Sequence, residues 1–547
     1  MDGDLLMGDW GKNLLELVDL IGKDRVFVSI YGGPEDALRN LSARLPCQHS
    51  MAIEDKDPIV LSDLPRITLP SGETRIKRIE QLAEVRNRAL KPLQDGILDR
   101  TYDRVLFLND VFFHPVDAAR LLWGTNVNKE TGRAEYKAVC GADFITSWKF
   151  YDTYATRDLE GYSMGVPIYP WFANEGDAIS RKDVLLGKDA VRVKSCWGGI
   201  VAFDARYFQA DKPTDGKGNN KKSTLSPPQE VSAIQKSQLS TPSLPLKFRS
   251  EQETFWDSSE CCLIHADILS LPPFPGTPAS VLASPEYGTG IFMNPFVRVS
   301  YDAKTFRLIK YAKRFERLFA LPQAVINHLA HMPHPNYRRL ETAGEIVRDK
   351  VWVPFSSLGA STKNKPASTT KQLGDEDTTW QGANSIGKRS EVEEEAWERS
   401  WADADYDVQT TRAASSIGDE DSTWQGWDSV KDLSPKPRPQ SSPDLYTSSL
   451  ELVKRGASSP LQLIRRASPA EGVLEVRGGV GKREIKPLSY WKSEGQYADF
   501  DRTASRGGYC GVRQLTIIKD WKLKEGEKNW ENLRGEVPPR WEELSLA

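Results

Sequence analysis

The residues best placed to do chemistry in this chain follow a short apolar run. Arg104-Val-Leu-Phe-Leu-Asn-Asp-Val-Phe-Phe113 carries a side-chain amide, Asn109, and a carboxylate, Asp110, where its first apolar part ends. The run predicts a central parallel strand that is buried on both faces. Ligands of open α/β sheets bind outside the carboxyl ends of the strands, which makes both residues candidates for a site. The alternative is that Asp110 only caps a helix beginning near Pro115.

A carboxylate in that position suits a hard divalent cation that holds a diphosphate. Mg²⁺ and Mn²⁺ prefer oxygen ligands and often share them with substrate phosphates. Further along the chain, Glu260, His265 and Asp267 fall within one short segment, and such groups can serve acid–base chemistry or metal binding. We therefore take Asp110, His265 and Asp267 as candidate metal ligands. The alternative for the second segment is a partly buried helix or strand.

Two arginines could add positive charge to such a site. Arg86 lies in the segment 82–90 of a predicted amphipathic helix and could reach a phosphate with its several donors. The alternative is a solvated charged face shared with Glu84 and Arg88. Arg157 and Asp158 lie in the stretch 151–161, where aromatic and charged residues alternate as in a loop that lines a site. Their alternative is a surface ion pair of no consequence.

The elements that must position these residues alternate between helix and strand, which predicts a parallel α/β sheet. Tyr136–Asp143 is a further predicted strand and delivers another carboxylate, Asp143. Gly198 and Gly199 form a bend between two strands and permit close approach of a ligand or of a neighbouring strand. Other expected elements are a helix at 13–21, a strand at 25–31, a helix from Pro34 to Leu41, a strand at 58–61, an edge strand at 291–301 that contains Pro295, a helical stretch to about Val353, and a glycine turn feeding a strand at 506–518.

Composition excludes several classes of protein. The 73 Lys and Arg residues nearly balance the 76 Asp and Glu residues, so the average charge gives no case for nucleic acid or an anionic membrane as partner. The six cysteines show no CxxC pairs, which argues against a zinc ribbon but allows one or two disulfides, with Cys510 as a candidate for a bridge to an earlier cysteine. The sequence contains neither a predicted signal peptide nor an apolar run long enough to span a membrane.

Low-complexity segments divide the chain. We expect ordered regions at 1–208 and 246–355, a disordered insertion at 209–245, a disordered region at 356–483 and a C-terminal segment at 484–547, of which 506–519 packs back on the earlier fold. The motif Gly374-Asp-Glu-Asp-Thr-Thr-Trp-Gln-Gly382 recurs at 418–426. Because two copies cannot build a solenoid, we interpret them as a duplicated piece of the disordered region.

The motifs, taken in order, resemble the fungal capsule-associated α-1,3-mannosyltransferases, glycosyltransferase family sixty-nine. Each motif is weak alone, whereas the ordered set is specific. The residues that carry the resemblance are Leu82-Ala-Glu-Val-Arg-Asn87, Val105-Leu-Phe-Leu-Asn-Asp110, Asp143-Phe144, Tyr151-Asp152, Arg157-Asp158, Ser195-Cys-Trp197, Gly199-Ile-Val-Ala-Phe203, Phe248-Arg249, Ser259-Glu-Cys-Cys262 and Gly507-Gly-Tyr-Cys-Gly-Val-Arg513.

The resemblance implies a GT-A-like (Rossmann-like) nucleotide-sugar fold with a mostly parallel central sheet and long disordered insertions. It implies Mn²⁺ or Mg²⁺ as cofactor and transfer of mannose from GDP-mannose to a glycan hydroxyl with retention, in the Golgi or another secretory lumen. Asp143, Asp158 and Glu260 are then candidate catalytic carboxylates. The candidate donor-binding residues are Arg86, Asn87, Asn109, Arg157 and Trp197.

Two other functions stay open from the sequence. The first is a transferase that uses a different nucleotide sugar as donor. The second is a catalytically silent relative that acts as a scaffold in the secretory pathway or cell wall, with the duplicated Trp motif as its docking element. Donor binding separates the two classes, because a ligand that binds only the folded state raises its melting temperature.

Overall fold

The computed structural model describes residues 3–53, 56–96, 98–210, 242–274, 282–355, 486–521, 523 and 527–546. The predicted disordered region at 356–483, both copies of the Trp motif and most of the predicted insertion at 209–245 lie outside the described residues. The domain boundaries proposed from the sequence therefore stay predictions.

The strands of the described residues are short, and six of them form the main sheet. In chain order they are β1 (Phe27–Tyr31), β2 (Gln48–Ala52), β3 (Ile67–Thr68), β4 (Thr74–Arg75), β5 (Arg104–Leu108), β6 (Ala138–Phe144), β7 (Arg157–Asp158), β8 (Val191–Ser195), β9 (Ile200–Asp204), β10 (Asp257–Ser258), β11 (Ile291–Ser300), β12 (Ile346–Pro354), β13 (Gly495–Thr503), β14 (Gly511–Val512), β15 (Thr516–Ile518) and β16 (Trp530–Asn532).

The main sheet has mixed strand orientation, so the expectation of a mostly parallel sheet is wrong. Its order is β5, β9, β6, β11, β8, β7, and β6 with β11 is its one parallel pair of neighbours. Strand β9 lies between β5 and β6 and runs antiparallel to both, which leaves β5 at an edge instead of the centre. Strands β5, β6 and β11 still point the same way, so their carboxyl ends meet at one edge of the sheet.

Helices cover both faces of this sheet. They are α1 (Gly3–Met7), α2 (Asp9–Ile21), α3 (Glu35–Arg44), α4 (Arg78–Gln94), α5 (Pro115–Trp123), α6 (Ile179–Leu185), α7 (Glu260–Ser270), α8 (Ala303–Ala312), α9 (Ala320–Leu329), α10 (Leu488–Glu494) and α11 (Trp541–Leu546). Helices α2 to α5 confirm the helices predicted from apolar spacing in that part of the chain. Of the helices in the described residues, none has the length and apolar character needed to cross a bilayer.

Two apolar clusters pack on opposite faces of the sheet. Along β6, Cys140 and Ala142 face one cluster and Val139 faces the other, as the period of two in a strand requires. The first cluster includes residues of α4 and α7, and the second includes residues of α2, α3 and α5. Because both faces are covered, each buried Leu or Ile contributes about 1.5–3 kcal/mol to folding.

Three predicted elements differ from the structure. Residues 58–60 form no strand, and the partner of β1 is β2, which pairs with it in parallel after α3. Residues 346–354 form β12 instead of a helix, because this β-branched segment pairs with β13 from a distant part of the chain. Strand β11 lies inside the sheet, and Pro295 falls in the register shift between Met293 and Arg298, where its missing N–H costs no ladder bond.

Two disulfides tie these elements together. Cys140 of β6 is bonded to Cys196, and Cys262 of α7 is bonded to Cys510, which lies 248 residues further along the chain. The second bridge confirms the expected pairing of Cys510 with an earlier cysteine. Leu515, Ile517 and Ile518 of the following segment are buried.

Candidate functional site

The candidate site lies at the sheet edge where β5, β6 and β11 end. Asn109 and Asp110 directly follow β5, Asp143 is the penultimate residue of β6, and Tyr301 directly follows β11. The bend 197–199, which connects β8 to β9, reaches the same edge because Ile200 pairs with Leu108 at the end of β5. Four stretches that are distant in sequence therefore converge there.

The two glycines of the bend settle one alternative left by the sequence. Gly198 and Gly199 have φ angles of +58° and +66°, a left-handed conformation that glycine adopts without strain. A Cβ atom on Gly198 would lie 2.1 Å from the carbonyl oxygen of Gly141 in β6. The close approach is therefore to a neighbouring strand.

Asn109 and Asp110 differ in their hydrogen bonds to the rest of the protein. The Asn109 backbone N–H donates to Gly199 O at 3.0 Å, and its side-chain Oδ1 accepts from Trp197 Nε1 at 3.3 Å. Trp10 Nε1 donates to its carbonyl oxygen at 2.9 Å. Asp110 is exposed, and within the described part of the chain its carboxylate has no hydrogen bond or ion pair. Asn109 thus fixes the strand end, and Asp110 is left available to bind a ligand.

A buried carboxylate, Asp143, lies behind this edge. Its Oδ2 accepts from the Tyr301 hydroxyl at 3.2 Å, and its Oδ1 accepts from the Asp152 N–H at 3.0 Å. Burial, and next the negative charge of Asp152, raises the pKa of Asp143 to about 8. Asp143 is therefore mostly protonated at neutral pH and can hold or release a proton in the range where enzymes work.

Tyr301 connects Asp143 to the exposed edge. Its pKa is raised well above that of a free tyrosine by burial and then by the charges of Asp143, Tyr151, Asp152 and Asp110. Its ring packs against that of Tyr151, with centroids 4.8 Å apart. The hydroxyl therefore stays protonated and lies within the electrostatic influence of both Asp143 and Asp110.

Asp152 holds the bend in place. Its Oδ2 accepts from the N–H groups of Trp197 and Gly198 at 2.9 and 3.0 Å, and from the Thr156 hydroxyl at 3.1 Å. Its Oδ1 accepts from the Ala155 N–H at 3.0 Å. A carboxylate with four donors is committed to structure, so Asp152 positions the bend and supplies negative charge to Asp143.

Arg86 of α4 contacts the bend through the ring of Trp197. Its Nε donates to Glu260 Oε1 at 3.0 Å, and its guanidinium carbon lies 4.1 Å from the centre of the Trp197 ring. The Nη1 and Nη2 groups of Arg86 donate to no described residue, and the side chain keeps 18% of its surface exposed. Trp197 and Glu260 therefore orient a guanidinium whose outer donors are free for an anion.

Two other predicted site residues serve the scaffold. The Asn87 amide donates to Phe248 O at 2.9 Å and accepts from Phe248 N–H at 2.8 Å. Both polar atoms of its side chain are therefore hydrogen-bonded to the backbone. Arg157 is buried and donates to the carbonyl oxygens of Tyr509, at 2.7 Å, and Cys510, at 2.9 Å. Arg157 therefore holds the C-terminal segment and is no surface ion pair.

Asp158 lies on β7, the strand at the opposite edge of the sheet from β5. Its Oδ1 accepts from the N–H groups of Glu160 and Tyr162 at 3.0 and 2.8 Å. Burial raises its pKa to about 7. The structure thus places this carboxylate in a turn, apart from Asp110 and Asp143.

The structure does not bring His265 and Asp267 to Asp110. His265 is fully buried in α7, its Nδ1 lies 2.7 Å from Cys261 O, and burial lowers its pKa to about 4. Asp267 is paired with Arg249 at 2.8 Å and with Arg506 at 3.1 Å. Across the described ranges, no group of three or more His, Cys, Asp and Glu side chains could hold a metal ion. A cation at this edge would need oxygen ligands from its substrate.

Sequence reasoning did not select Tyr301 or Asp152 as site residues. Tyr301 is the last residue of the strand predicted at 291–301, and its position at a strand end resembles the signal that singled out Asp110. Asp152 lies in the aromatic and charged loop but carries no spacing that marks it. Its role depends on contacts with residues more than forty positions away, which only the fold reveals.

Comparisons with known proteins agree with this arrangement of motifs. Residues 1–267 match the family described as Cryptococcal mannosyltransferase 1. The chain is also 26% identical over 162 residues to the alpha-1,3-mannosyltransferase CMT1 of Cryptococcus neoformans, a match that covers 26% of this chain and 32% of that relative. The match therefore spans about a third of the relative's length. No solved structure matches the chain.

These matches confirm the resemblance predicted from the motifs. Residues 82–87, 104–110, 143–158, 195–203 and 259–262, which carry motifs and form or support the sheet edge, all lie within the matched range. The similarity to the capsule-associated mannosyltransferases therefore extends over residues 1–267, slightly less than half of the 547-residue chain.

Proposed function

We propose that this chain transfers mannose from GDP-mannose to a glycan hydroxyl, in α-1,3 linkage and with retention at the sugar carbon. The observation that carries the proposal is the exposed Asp110 carboxylate, which lacks a protein partner in the described residues and lies at the shared carboxyl edge of three strands. Ligands of open α/β sheets bind at such edges.

Asp110 fits a divalent cation shared with the donor diphosphate. Mg²⁺ and Mn²⁺ are commonly held by one or two carboxylates, with substrate phosphates and water as the other ligands. The exposed carboxylate meets that requirement, whereas His265 and Asp267 are engaged elsewhere. When bound, the cation would neutralise the charge that develops on the leaving diphosphate.

Arg86 would supply the second positive charge. Its guanidinium is oriented by Trp197 and Glu260, and its outer N–H groups can donate to diphosphate oxygens in a bidentate geometry. Because Glu260 is paired with Arg86 and is 3% exposed, we assign it a positioning role. Charge that is oriented before the reaction stabilises the transition state without reorganisation.

Asp143 is the carboxylate that we assign to proton handling. Among Asp143, Asp158 and Glu260, it is the one linked by hydrogen bond to the edge, through Tyr301. Its pKa of about 8 allows it to hold a proton at neutral pH. The Tyr301 hydroxyl, which donates to Asp143 and is influenced by the charge of Asp110, is the group we place against the substrate.

The test is turnover of GDP-mannose by the full chain with Mn²⁺ and a mannoside acceptor. We expect Asp110→Asn to reduce kcat/KM roughly a hundredfold or more, since it removes the carboxylate that would hold the cation against the charge developing on the diphosphate. Asp19→Asn is the matched control, because Asp19 is an exposed carboxylate near the far end of α2. Along the helix axis it is about 13 Å from Trp10, the residue of α2 that contacts Asn109.

The outcomes separate the three candidate functions. Loss of turnover in Asp110→Asn with an unchanged melting temperature supports the proposal, and full activity of that variant removes Asp110 from the mechanism. Turnover of a UDP-sugar in place of GDP-mannose favours a transferase with another donor. Absence of binding to every nucleotide sugar, with capture of a protein through residues 360–430, favours the scaffold.

A further inference from the structure

Helix α9 buries polar residues and exposes apolar ones, the reverse of the usual pattern in a surface helix. Its buried residues are Gln323 and Asn327, which are polar. Asn327 Oδ1 accepts from the Val166 N–H at 2.7 Å, Gln323 Nε2 donates to Val166 O at 3.1 Å, and Gln323 Oε1 accepts from Arg181. These contacts fix the rotation of the helix, because buried amides must keep their partners.

The apolar residues of α9 consequently face outward. Leu321 is 76% exposed, Val325 is 50% exposed and Leu329 is 71% exposed. The same surface continues through the preceding 3₁₀ turn, Glu316–Phe319, where Leu318 is 74% exposed, and through Phe315 at 63%. We call this the outward face: the exposed side chains of residues 303–329, which comprise α8, the 3₁₀ turn with the residues before it, and α9. An apolar surface of this kind usually marks an interaction site.

Exposed cationic residues alternate with the apolar residues along the first part of this face, from 304 to 317. Those exposed on the outward face are Lys304, Arg307, Lys310, Arg314 and Arg317. The acidic residue between positions 303 and 340 is Glu316, and Arg298 neutralises it with two contacts of 2.8 Å. Within the segments that the structure covers, the five exposed cations form no salt bridge. The outward face is therefore positive as well as apolar.

We propose that the outward face docks on an anionic lipid surface. Helices that lie in the headgroup region of a bilayer typically contain leucine and phenylalanine flanked by lysine and arginine. Their apolar side chains insert among the lipids, and their cations lie at the lipid phosphates. Trp148, which is 49% exposed and stacks on Phe319 with ring centroids 6.4 Å apart, adds an aromatic residue suited to the interface. A protein partner would need a groove that is both acidic and apolar. An anionic bilayer offers negative headgroups for the cations and acyl chains for the apolar side chains.

The proposal goes beyond the proposed glycosyl transfer and does not depend on it. The face is built by α8 and α9, and none of its residues belongs to the site at the ends of β5 and β6. Membrane docking can therefore fail while transfer is retained, and transfer can fail while docking is retained.

The test is sedimentation of the full chain with vesicles of phosphatidylcholine and phosphatidylserine. We expect binding that weakens with added salt and with removal of phosphatidylserine. The double variant Leu318→Glu/Leu321→Glu should reduce the bound fraction roughly tenfold or more, and Arg307→Gln/Lys310→Gln should reduce it by a similar factor. Leu20→Glu, at a leucine of α2 that is 53% exposed, is the matched control and should bind like the wild type.

Circular dichroism and transfer activity in solution check that each variant is folded. Failure of the wild type to bind anionic vesicles overturns the proposal, as does equal loss of binding in Leu20→Glu. Binding that survives both double variants places the contact elsewhere and also overturns it. Self-association that is abolished by Leu318→Glu/Leu321→Glu, without vesicle binding, would show that a second copy of the chain covers the face.

Discussion

Asp143 is a residue whose surroundings fix its charge. It is 1% exposed, and burial together with the charge of Asp152 raises its pKa from 3.8 to about 8. Between these values the folded chain binds a proton that the unfolded chain has released. The free energy of unfolding therefore falls as pH rises through this window, by up to about 1.4 kcal/mol per pH unit for one group.

The variant Asp143→Asn should flatten this dependence. An amide keeps the shape and the hydrogen bond with Tyr301 but does not titrate, so the melting temperature should fall less between pH 5 and pH 8 than in the wild type. Asp158, with its pKa raised to about 7, contributes with the same sign, so some slope should remain. Equal slopes for the variant and the wild type would contradict the assignment.

Arg157 gives a second prediction for a single residue. Its guanidinium donates to backbone carbonyl groups on both sides of the junction with the C-terminal segment, and none of these bonds is to the edge where Asp110 lies. Arg157→Lys keeps the charge but loses the planar set of donors, which should cost about 1–3 kcal/mol of stability. The KM for the donor should stay unchanged, and a raised KM in a stable variant would return Arg157 to the donor site.

Local sequence patterns predict the helices and strands in which apolar residues recur at regular spacing. Helices α2 to α5, strand β6 and the pair β8 and β9 follow directly from such patterns. The patterns carry no information on which strands pair, so the insertion of β9 between β5 and β6 could not be predicted. Helix α9 shows a second limit: the helical stretch is predicted, but its buried residues are Gln323 and Asn327, whereas Leu321 and Leu329 are exposed.

One disulfide bonds the C-terminal segment covalently to the earlier fold. Cys262 and Cys510 close a loop of 248 residues, and a loop of that length can contribute up to about 5 kcal/mol by restricting the unfolded chain. Cys510→Ser should therefore lower the melting temperature and expose the segment from Gly507 onward to limited proteolysis. Cys47→Ser, at a buried cysteine without a bridge, is the control and should leave that segment protected.

At the scale of the whole molecule, the net charge does not reveal how charge is distributed over the surface. The net charge of −3 argues against an anionic surface as partner, yet the outward face gathers five exposed cations with a single neutralised acid. The site shows the same principle. Asp110, Asp143, Tyr301 and Arg86 come from four separate stretches, and the sequence identified three of these residues as candidates but could not show that they meet. Asp110, Asp143 and Tyr301 converge because β5, β6 and β11 run in the same direction, whereas Arg86 of α4 is held near this edge by its contacts with Trp197 and Glu260.

The most direct test of this account is a calorimetric titration of GDP into the purified chain with and without Mn²⁺. We predict binding that requires the cation and weakens roughly tenfold or more in Asp110→Asn, while Asp19→Asn binds like the wild type. GDP and Mn²⁺ binding that is equally tight in Asp110→Asn and in the wild type would contradict the central claim that this carboxylate holds the cation against the diphosphate.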